Sequence, residues 1–150
     1  MFRTVDVRNR RQTRSIATAA SNEGSLTMDI RIEVIFIPVT DVDRAKAFYV
    51  EQVGLLCDHD QTVSADVRFV QLTPPGSACS IAFGTGLTTM EPGTQHGIMA
   101  VVDDADATLA ELRERGVNAQ GVDEQQWGRF VSFQDPDGNR WALQQLPSYA

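Results

Sequence analysis

The chain of 150 residues has few cysteines and no long apolar run. Cys57 and Cys79 are too few for a disulfide framework, so a reducing cytoplasm is the expected compartment. No apolar stretch approaches the roughly 20 residues of a transmembrane helix, so no membrane partner is expected. Two enzyme signatures are also missing. Gly84-Thr85-Gly86 is not followed by the Lys-Ser or Lys-Thr of a phosphate-binding loop, and no Gly-x-Ser-x-Gly nucleophile elbow occurs.

Basic residues are scarce outside the N-terminal segment. The chain carries 13 Lys and Arg against 20 Asp and Glu, a net charge of −7 that disfavours a nucleic-acid partner. Residues 1–27 hold five of the basic and two of the acidic residues, so residues 28–150 carry 8 and 18. This acidic body accommodates a cationic or neutral small molecule most easily. Residues 1–27 are rich in Ser, Thr and Ala without a clear period. We predict a disordered tail there, or a transit peptide, ahead of one domain at 28–150.

The most informative stretch is a predicted β-hairpin near the C-terminus. Strand-forming residues flank Asp135-Pro136-Asp137-Gly138-Asn139 on both sides. Pro136 presets φ for the first corner of a turn, and Gly138 and Asn139 tolerate a positive φ. The pattern therefore predicts strands at 130–134 and 140–146, joined by a tight turn.

A repeat relates the two halves of the chain. Val39-Thr40-Asp41-Val42-Asp43 resembles Val102-Asp103-Asp104-Ala105-Asp106, 63 residues later. In both halves an apolar strand precedes this stretch, an oxygen side chain is placed to cap a helix, and a glycine ends that helix. The pattern predicts helices that begin near 41 and 104 and end near 52 and 115. The other strands are predicted at 31–39, 55–60, 67–73, 78–83, 97–102 and 117–122, with a polar loop at 123–128.

The turn at 135–139 ahead of the last strand, together with residues 37–49, resembles the vicinal oxygen chelate superfamily. This superfamily holds the glyoxalases, the bleomycin and fosfomycin resistance proteins and the extradiol dioxygenases. The resemblance covers about residues 30–146. It implies an α+β fold in which two βαβββ modules form a curved mixed sheet around a shared cleft. It also implies a homodimer, in which modules pair within one chain or between two.

In metal-using members of this superfamily, His, Gln or Glu side chains on the first and last strands of each module hold a divalent ion. By resemblance, the corresponding positions here are Val34, Gly97, Ala142 and one residue within 80–83. None of them offers a His, Asp or Glu ligand. We therefore expect no metal cofactor.

A shifted register would give a different site. Glu33 and His96 each lie one residue from a metal-ligand position, and a one-residue shift would turn both side chains into the cleft. The alternative function is therefore a divalent-metal-dependent enzyme of the glyoxalase, lyase, isomerase or dioxygenase type that uses Glu33 and His96. Without metal, His96 is a candidate general base at the cleft mouth.

In the favoured register, the period of two predicts which side chains line the cleft. The result is an apolar cavity with a few amides, a hydroxyl and one guanidinium, which suits a small organic molecule. Trp127 precedes the seventh strand and is placed to cover the cleft mouth, whereas Trp141 is expected beneath the second helix. Gln71 and Gln144 are equally compatible with cross-links between strands. The predicted ligand-binding residues are Phe36, Gln71, Ser80, Met99, Trp127, Arg140 and Gln144.

The leading hypothesis is a glyoxalase/bleomycin-resistance-like protein with a degenerate metal site. Such a protein would bind, or act on, a small organic compound without metal, as a cytoplasmic homodimer. Whether it is an enzyme is left open by the sequence. An interaction domain without a ligand is a further alternative, which a closed cleft would favour.

Overall fold

The computed structural model describes residues 27–148. The predicted tail at 1–27 falls, apart from Thr27, outside the described residues. No helix of the described part is long and apolar enough to cross a membrane. In chain order the elements are β1 (Val34–Phe36), α1 (Val42–Ala47), a π-helical segment (Phe48–Val53), β2 (Leu56–Ser64), β3 (Val67–Thr73), β4 (Ser80–Thr85), β5 (Ile98–Val101), α2 (Ala105–Glu114), β6 (Gln120–Gln125), β7 (Gly128–Gln134) and β8 (Arg140–Gln145).

These elements form two βαβββ modules, each with one four-stranded sheet. The strand order is β1-β4-β3-β2 in the first sheet and β5-β8-β7-β6 in the second. In each sheet the first strand of the module pairs parallel to its last strand, and the other pairs are antiparallel. The α+β fold class and the two-module organisation predicted from the repeat are confirmed.

The outer strands differ most from the sequence prediction. β1 spans only Val34–Phe36, whereas β2 continues to Ser64, beyond its predicted end at 60. The predicted polar loop at 123–128 is wrong, because β6 occupies Gln120–Gln125. β2 and β6 are edge strands with mostly exposed side chains, so they carry no apolar alternation that a sequence pattern could show. Backbone pairing with β3 and β7 holds them in place.

The first helix changes its winding halfway. Asp41 caps α1 by accepting a hydrogen bond from the backbone N–H of Arg44 at 3.0 Å. From Phe48 onward the winding is π-helical, and the segment ends at Gly54. The sequence predicts this helix but not its wide turn. The wider turn buries the adjacent residues Phe48 and Tyr49 together in the core.

The two modules share one apolar core on the helix-covered faces of their sheets. The Tyr49 ring lies 5.9 Å from that of Phe83 in its own module and 5.7 Å from that of Trp141 in the other. Trp141 also stacks on Phe133 at 5.7 Å. The sequence places Trp141 beneath the second helix, but its hydrogen bond and ring contacts reach across to the first module. Because the helix-covered faces meet in this core, the opposite faces point away from it.

The turn at 135–139 contains a buried hydrogen-bond network. The Asp135 carboxylate accepts four hydrogen bonds: from the N–H groups of Asp137 and Asn139 at 2.9 Å each, from the Asn139 amide at 2.7 Å and from the Tyr49 hydroxyl at 2.8 Å. Tyr49 in turn accepts from Nε1 of Trp141 at 3.0 Å. Burial raises the pKa of Tyr49 far above its usual range, and the Asp135 charge raises it further. The phenol therefore stays protonated as the donor to Asp135.

Two side chains of this turn, those of Asn139 and Asp137, also fasten it to the first module and to the loop before β5. Nδ2 of Asn139 donates to the Pro38 carbonyl at 2.8 Å, and its Oδ1 accepts from the N–H of Gln95 at 3.1 Å. The carboxylate of Asp137 accepts from the N–H of Thr40 at 3.1 Å. The turn thereby fixes the start of β8 relative to the end of β1.

Each module also has an ion-pair cluster between its helix and its sheet. In the first module Arg68 bonds Asp60 at 3.0 Å and Asp43 at 2.8 Å, and Lys46 bonds Asp60 at 2.8 Å. Hydrogen bonds from Arg68 and Lys46 lower the pKa of Asp60 to about 2. The second module repeats the arrangement with Arg129, Asp106 and Glu124.

Replacing Tyr49 by phenylalanine tests the buried network. Tyr49→Phe removes a donor from the Asp135 carboxylate and an acceptor from the Trp141 indole. We expect the free energy of unfolding to fall by about 2 kcal/mol, as measured by urea denaturation. Ser132→Ala, which removes an exposed hydroxyl from β7, is the control and should change it by less than about 0.5 kcal/mol. Equal stability of Tyr49→Phe and the wild type would contradict the role of the network.

The stabilisation by Asp60 should depend on pH. Since its pKa is lower in the folded state, this stabilisation is complete above the ordinary value of 3.8 and is lost as the pH falls through about 2. At pH 7, Asp60→Asn should lower the free energy of unfolding by about 1 kcal/mol, because the pair is partly exposed. Urea denaturation between pH 7 and pH 2.5 should show this difference shrinking. Asp66→Asn in the adjacent turn makes the same charge change as a control. If the difference in unfolding free energy between Asp60→Asn and the wild type does not vary with pH, the stabilising role of the Asp60 carboxylate is contradicted.

Candidate functional site

Each sheet has an open face, opposite the face that its helix covers. In the first sheet Val34 pairs with Ser80 and Phe36 with Ala82, whereas Ile35 pairs with Ile81, a member of the apolar core. This pairing puts Val34 and Phe36 on the open face. The open face of the first sheet thus includes Val34, Phe36, Phe69, Gln71, Thr73 and Ser80.

Three polar side chains form a line across this face, and two of them, Thr73 and Ser80, are buried at 6% and 4% exposure. Thr73 donates a hydrogen bond to the Asp58 carboxylate, and its Oγ1 lies 2.7 Å from Oγ of Ser80. A hydroxyl has one proton, so Ser80 is the donor to Thr73. Sequence reasoning singled out Ser80 but missed the other two. An irregularity in the pairing of β2 at Asp58 brings the carboxylate to Thr73, and alternation does not predict such a bulge.

The open face of the second sheet is apolar along its edge strand. Met99 and Val101 of β5 are 61% and 60% exposed and pair with Ala142 and Gln144 of β8. Toward the inner strands the face becomes polar. A recess of about 570 Å³ there is lined by Asn118, Gln120, Ser132, Phe133, Gln134, Arg140 and Trp141.

Trp127 lies in the turn between β6 and β7, with 58% of its surface exposed. Its carbonyl oxygen accepts a hydrogen bond from Nε2 of Gln144 at 2.7 Å. Gln144 thus cross-links β8 to this turn, which is the structural role that the sequence left open beside ligand binding. The same bond fixes the turn that carries the indole next to the open face.

The open faces do not fit a divalent metal centre. Val34 and Ala142 lie on the open faces at positions where the resemblance implies ligands, and Gly97 precedes β5. None of these three side chains carries a donor atom. In residues 27–148, no group of three or more His, Cys, Asp or Glu side chains is placed to hold a metal ion.

Glu33 and His96 lie one position away from the open-face residues. Glu33 precedes β1 and by alternation belongs with Ile35 on the helix-covered side. His96 is exposed in the loop before β5, where its Nε2 is 2.8 Å from the carbonyl oxygen of Gly93. Neither side chain therefore occupies an open-face position in the observed register.

A second cavity lies between the modules on the helix-covered side. It has a volume of about 340 Å³ and is bordered by the end of the π-helical segment, by Pro74 and Pro75, and by α2 and β5. Arg115 and Glu111, which form an ion pair at 2.6 Å, also line it. Arg115, the basic residue that lines this cavity, is therefore already paired with a carboxylate.

Comparison with solved structures gives close matches over most of the chain. TnmS3, an antibiotic binding protein from Streptomyces sp. CB03234, is 38% identical with a TM-score of 0.75, covering 81% of this chain and 100% of that chain. A member of the glyoxalase/bleomycin resistance protein/dioxygenase superfamily from Sphaerobacter thermophilus DSM 20745 is 31% identical with a TM-score of 0.71. That match covers 79% of this chain and 98% of that chain.

A curated relative and a family model agree with these structures. The uncharacterised protein YetH of Bacillus subtilis (strain 168) is 26% identical over 119 residues, which are 77% of this chain and 98% of that protein. The model of the Glyoxalase/Bleomycin resistance protein/Dioxygenase superfamily matches residues 31–143. The resemblance seen in the sequence is confirmed, and the chain belongs to the Glyoxalase/Bleomycin resistance protein/Dioxygenase superfamily.

Proposed function

We propose that the protein binds a small organic molecule on its open faces without a metal ion. The observation that carries this proposal is the chemistry at the positions implied for metal ligands. Val34 and Ala142 offer only hydrocarbon there, and Phe36 and Met99 extend the apolar surface. Apolar walls with a few convergent polar groups are typical of small-molecule sites.

The similarity to TnmS3 supports an antibiotic, or a compound of similar size, as the ligand. TnmS3 is described as an antibiotic binding protein, and the match covers its whole length. The proposed role is therefore to bind and sequester such a compound. We place this binding in the cytoplasm, because two cysteines, Cys57 and Cys79, are too few for a disulfide framework.

The polar groups favour binding over catalysis. The proton of Ser80 is directed to Thr73, which itself donates to Asp58. His96 contacts a backbone carbonyl outside the strand. An activated hydroxyl nucleophile needs a base within hydrogen-bond reach, and the one proton of the Ser80 hydroxyl is donated to the Thr73 hydroxyl, which is not a base.

We also propose that a second copy of the chain completes the site. The open faces point away from the shared core, so one chain alone leaves Met99 and Val101 exposed. Apolar side chains are also exposed just before β1, at Met28, Ile30 and Ile32. β2 and β6, the other edge strands, are mostly polar, as edges that stay in water usually are. The edges at β1 and β5 therefore form the proposed dimer interface, with each site built from modules of both chains.

Binding should not require metal. In a thermal-denaturation screen of antibiotics with excess EDTA, a ligand at about 100 times its Kd should add about 2.7 kcal/mol of stability. The double variant Glu33→Gln/His96→Asn should respond as the wild type does. A response that EDTA or the double variant abolishes would instead support the metal-dependent enzyme.

The dimer should depend on the apolar edge before β1. Ile32→Glu, at a residue 68% exposed in one chain, should give the mass of a single chain by light scattering after gel filtration. Val63→Glu makes the same change at an equally exposed site, 67%, on the edge strand β2, and should keep the doubled mass of the wild type. A wild-type protein that is monomeric at all concentrations would contradict the shared site.

A further inference from the structure

The open face of the second sheet carries one positive charge at a defined place. Arg140 is the first residue of β8 and pairs with Gln134 of β7, on the same face as Ala142. Its backbone N–H donates to the carbonyl of Gln95 at 2.8 Å, beside the buried turn. The base of the side chain is thus held by the network that joins the modules, and the guanidinium lines the polar recess.

Arg140 differs from the other basic residues of the described chain. Within residues 27–148, the guanidinium of Arg140 makes neither an ion pair nor a hydrogen bond to another residue, although the chain has an excess of acidic groups. Arg113 donates to the Ala119 carbonyl at 3.1 Å. The remaining basic residues all form ion pairs: Arg31, Arg44, Lys46, Arg68, Arg115 and Arg129.

The surroundings of Arg140 explain why it stays unpaired. The other polar side chains of the recess are neutral amides and a hydroxyl, from Asn118, Gln120, Ser132 and Gln134. The nearest acidic residues in sequence are committed elsewhere. Asp135 accepts from Tyr49 and Asn139, and Asp137 accepts from the N–H of Thr40. The recess therefore combines one cation with neutral donors and contains no carboxylate to compete for it.

We propose that this recess binds an anionic group of the ligand, such as a carboxylate or a sulfonate. The guanidinium of Arg140 supplies the charge, and the amides of Gln120 and Gln134 supply neutral hydrogen bonds. The apolar strip at Met99 and Ala142 lies on the same face and contacts the rings of the ligand. The inference rests on the proposed function and names its ligand class, an amphipathic anion. The acidic composition alone favours a cationic or neutral ligand instead.

Two fluorescent probes with the same ring system distinguish the contribution of the ligand's negative charge from the contribution of its apolar rings. 8-Anilinonaphthalene-1-sulfonate carries a sulfonate, and N-phenyl-1-naphthylamine lacks it. Both are titrated into the full chain, into Arg140→Gln and into Arg115→Gln. The last variant removes the same charge from the end of α2, beside the helix-side cavity. Far-UV circular dichroism and the melting temperature establish that each variant is folded.

The wild type should bind both probes. Arg140→Gln should lower the affinity for the sulfonate probe alone, by about fivefold or more, because a charge-assisted hydrogen bond is lost. Arg115→Gln should change neither affinity. Raising the salt concentration should lower the affinity for the sulfonate probe alone. Unchanged sulfonate binding in a folded Arg140→Gln protein that still binds both probes would overturn the role of Arg140 and leave the apolar site standing. Failure of the wild type to bind either probe would overturn the proposed function, and this inference with it.

Discussion

The fold depends on one buried carboxylate. Asp135 lies inside the protein, where no basic side chain of residues 27–148 pairs with it, and four donors from the turn and from Tyr49 compensate its charge. Because Tyr49 belongs to the first module and Asp135 to the second, the same hydrogen bonds that satisfy the charge also join the modules. Losing the Tyr49 hydroxyl would leave the Trp141 N–H without its acceptor and the Asp135 carboxylate with one donor fewer, so the partners of the network depend on one another.

This constraint sets which faces of the sheets lie inside the core and which lie outside it. The network brings the helix-covered faces of both sheets into one core, so the open faces are left on the outside of each chain. It also fixes the start of β8, and with it the positions of Arg140 and Ala142. Members of one superfamily share such a scaffold, and the side chains on the open faces determine what each member does. Here those side chains provide hydrocarbon, neutral amides, the hydroxyls of Thr73 and Ser80 with the Asp58 carboxylate, and one guanidinium.

The sequence predicts the parts of this structure that rest on strong local signals. The turn at 135–139 and helices that begin near 41 and 104 could be read from residue types, whereas the positions of Val34 and Ala142 followed from the family resemblance. The full extent of the edge strands β2 and β6 could not be read, since most of their side chains are exposed and show no apolar alternation. The π-helical segment and the Asp58–Thr73 hydrogen bond also escaped prediction, because tertiary packing and a bulge produce them. The two modules could be predicted, but which of their faces meet depends on long-range contacts such as that between Tyr49 and Trp141.

The central claim is that a ligand binds on the open faces without metal. The most direct measurement is a map of backbone amide chemical shifts of the isotopically labelled protein, with and without saturating ligand, in excess EDTA. The account predicts that the shifts change along β1, β5 and the start of β8, at Phe36, Met99 and Arg140. Changes confined to the helix-side cavity, at Leu55 and Leu112, or the absence of any change until a divalent metal ion is added, would contradict it.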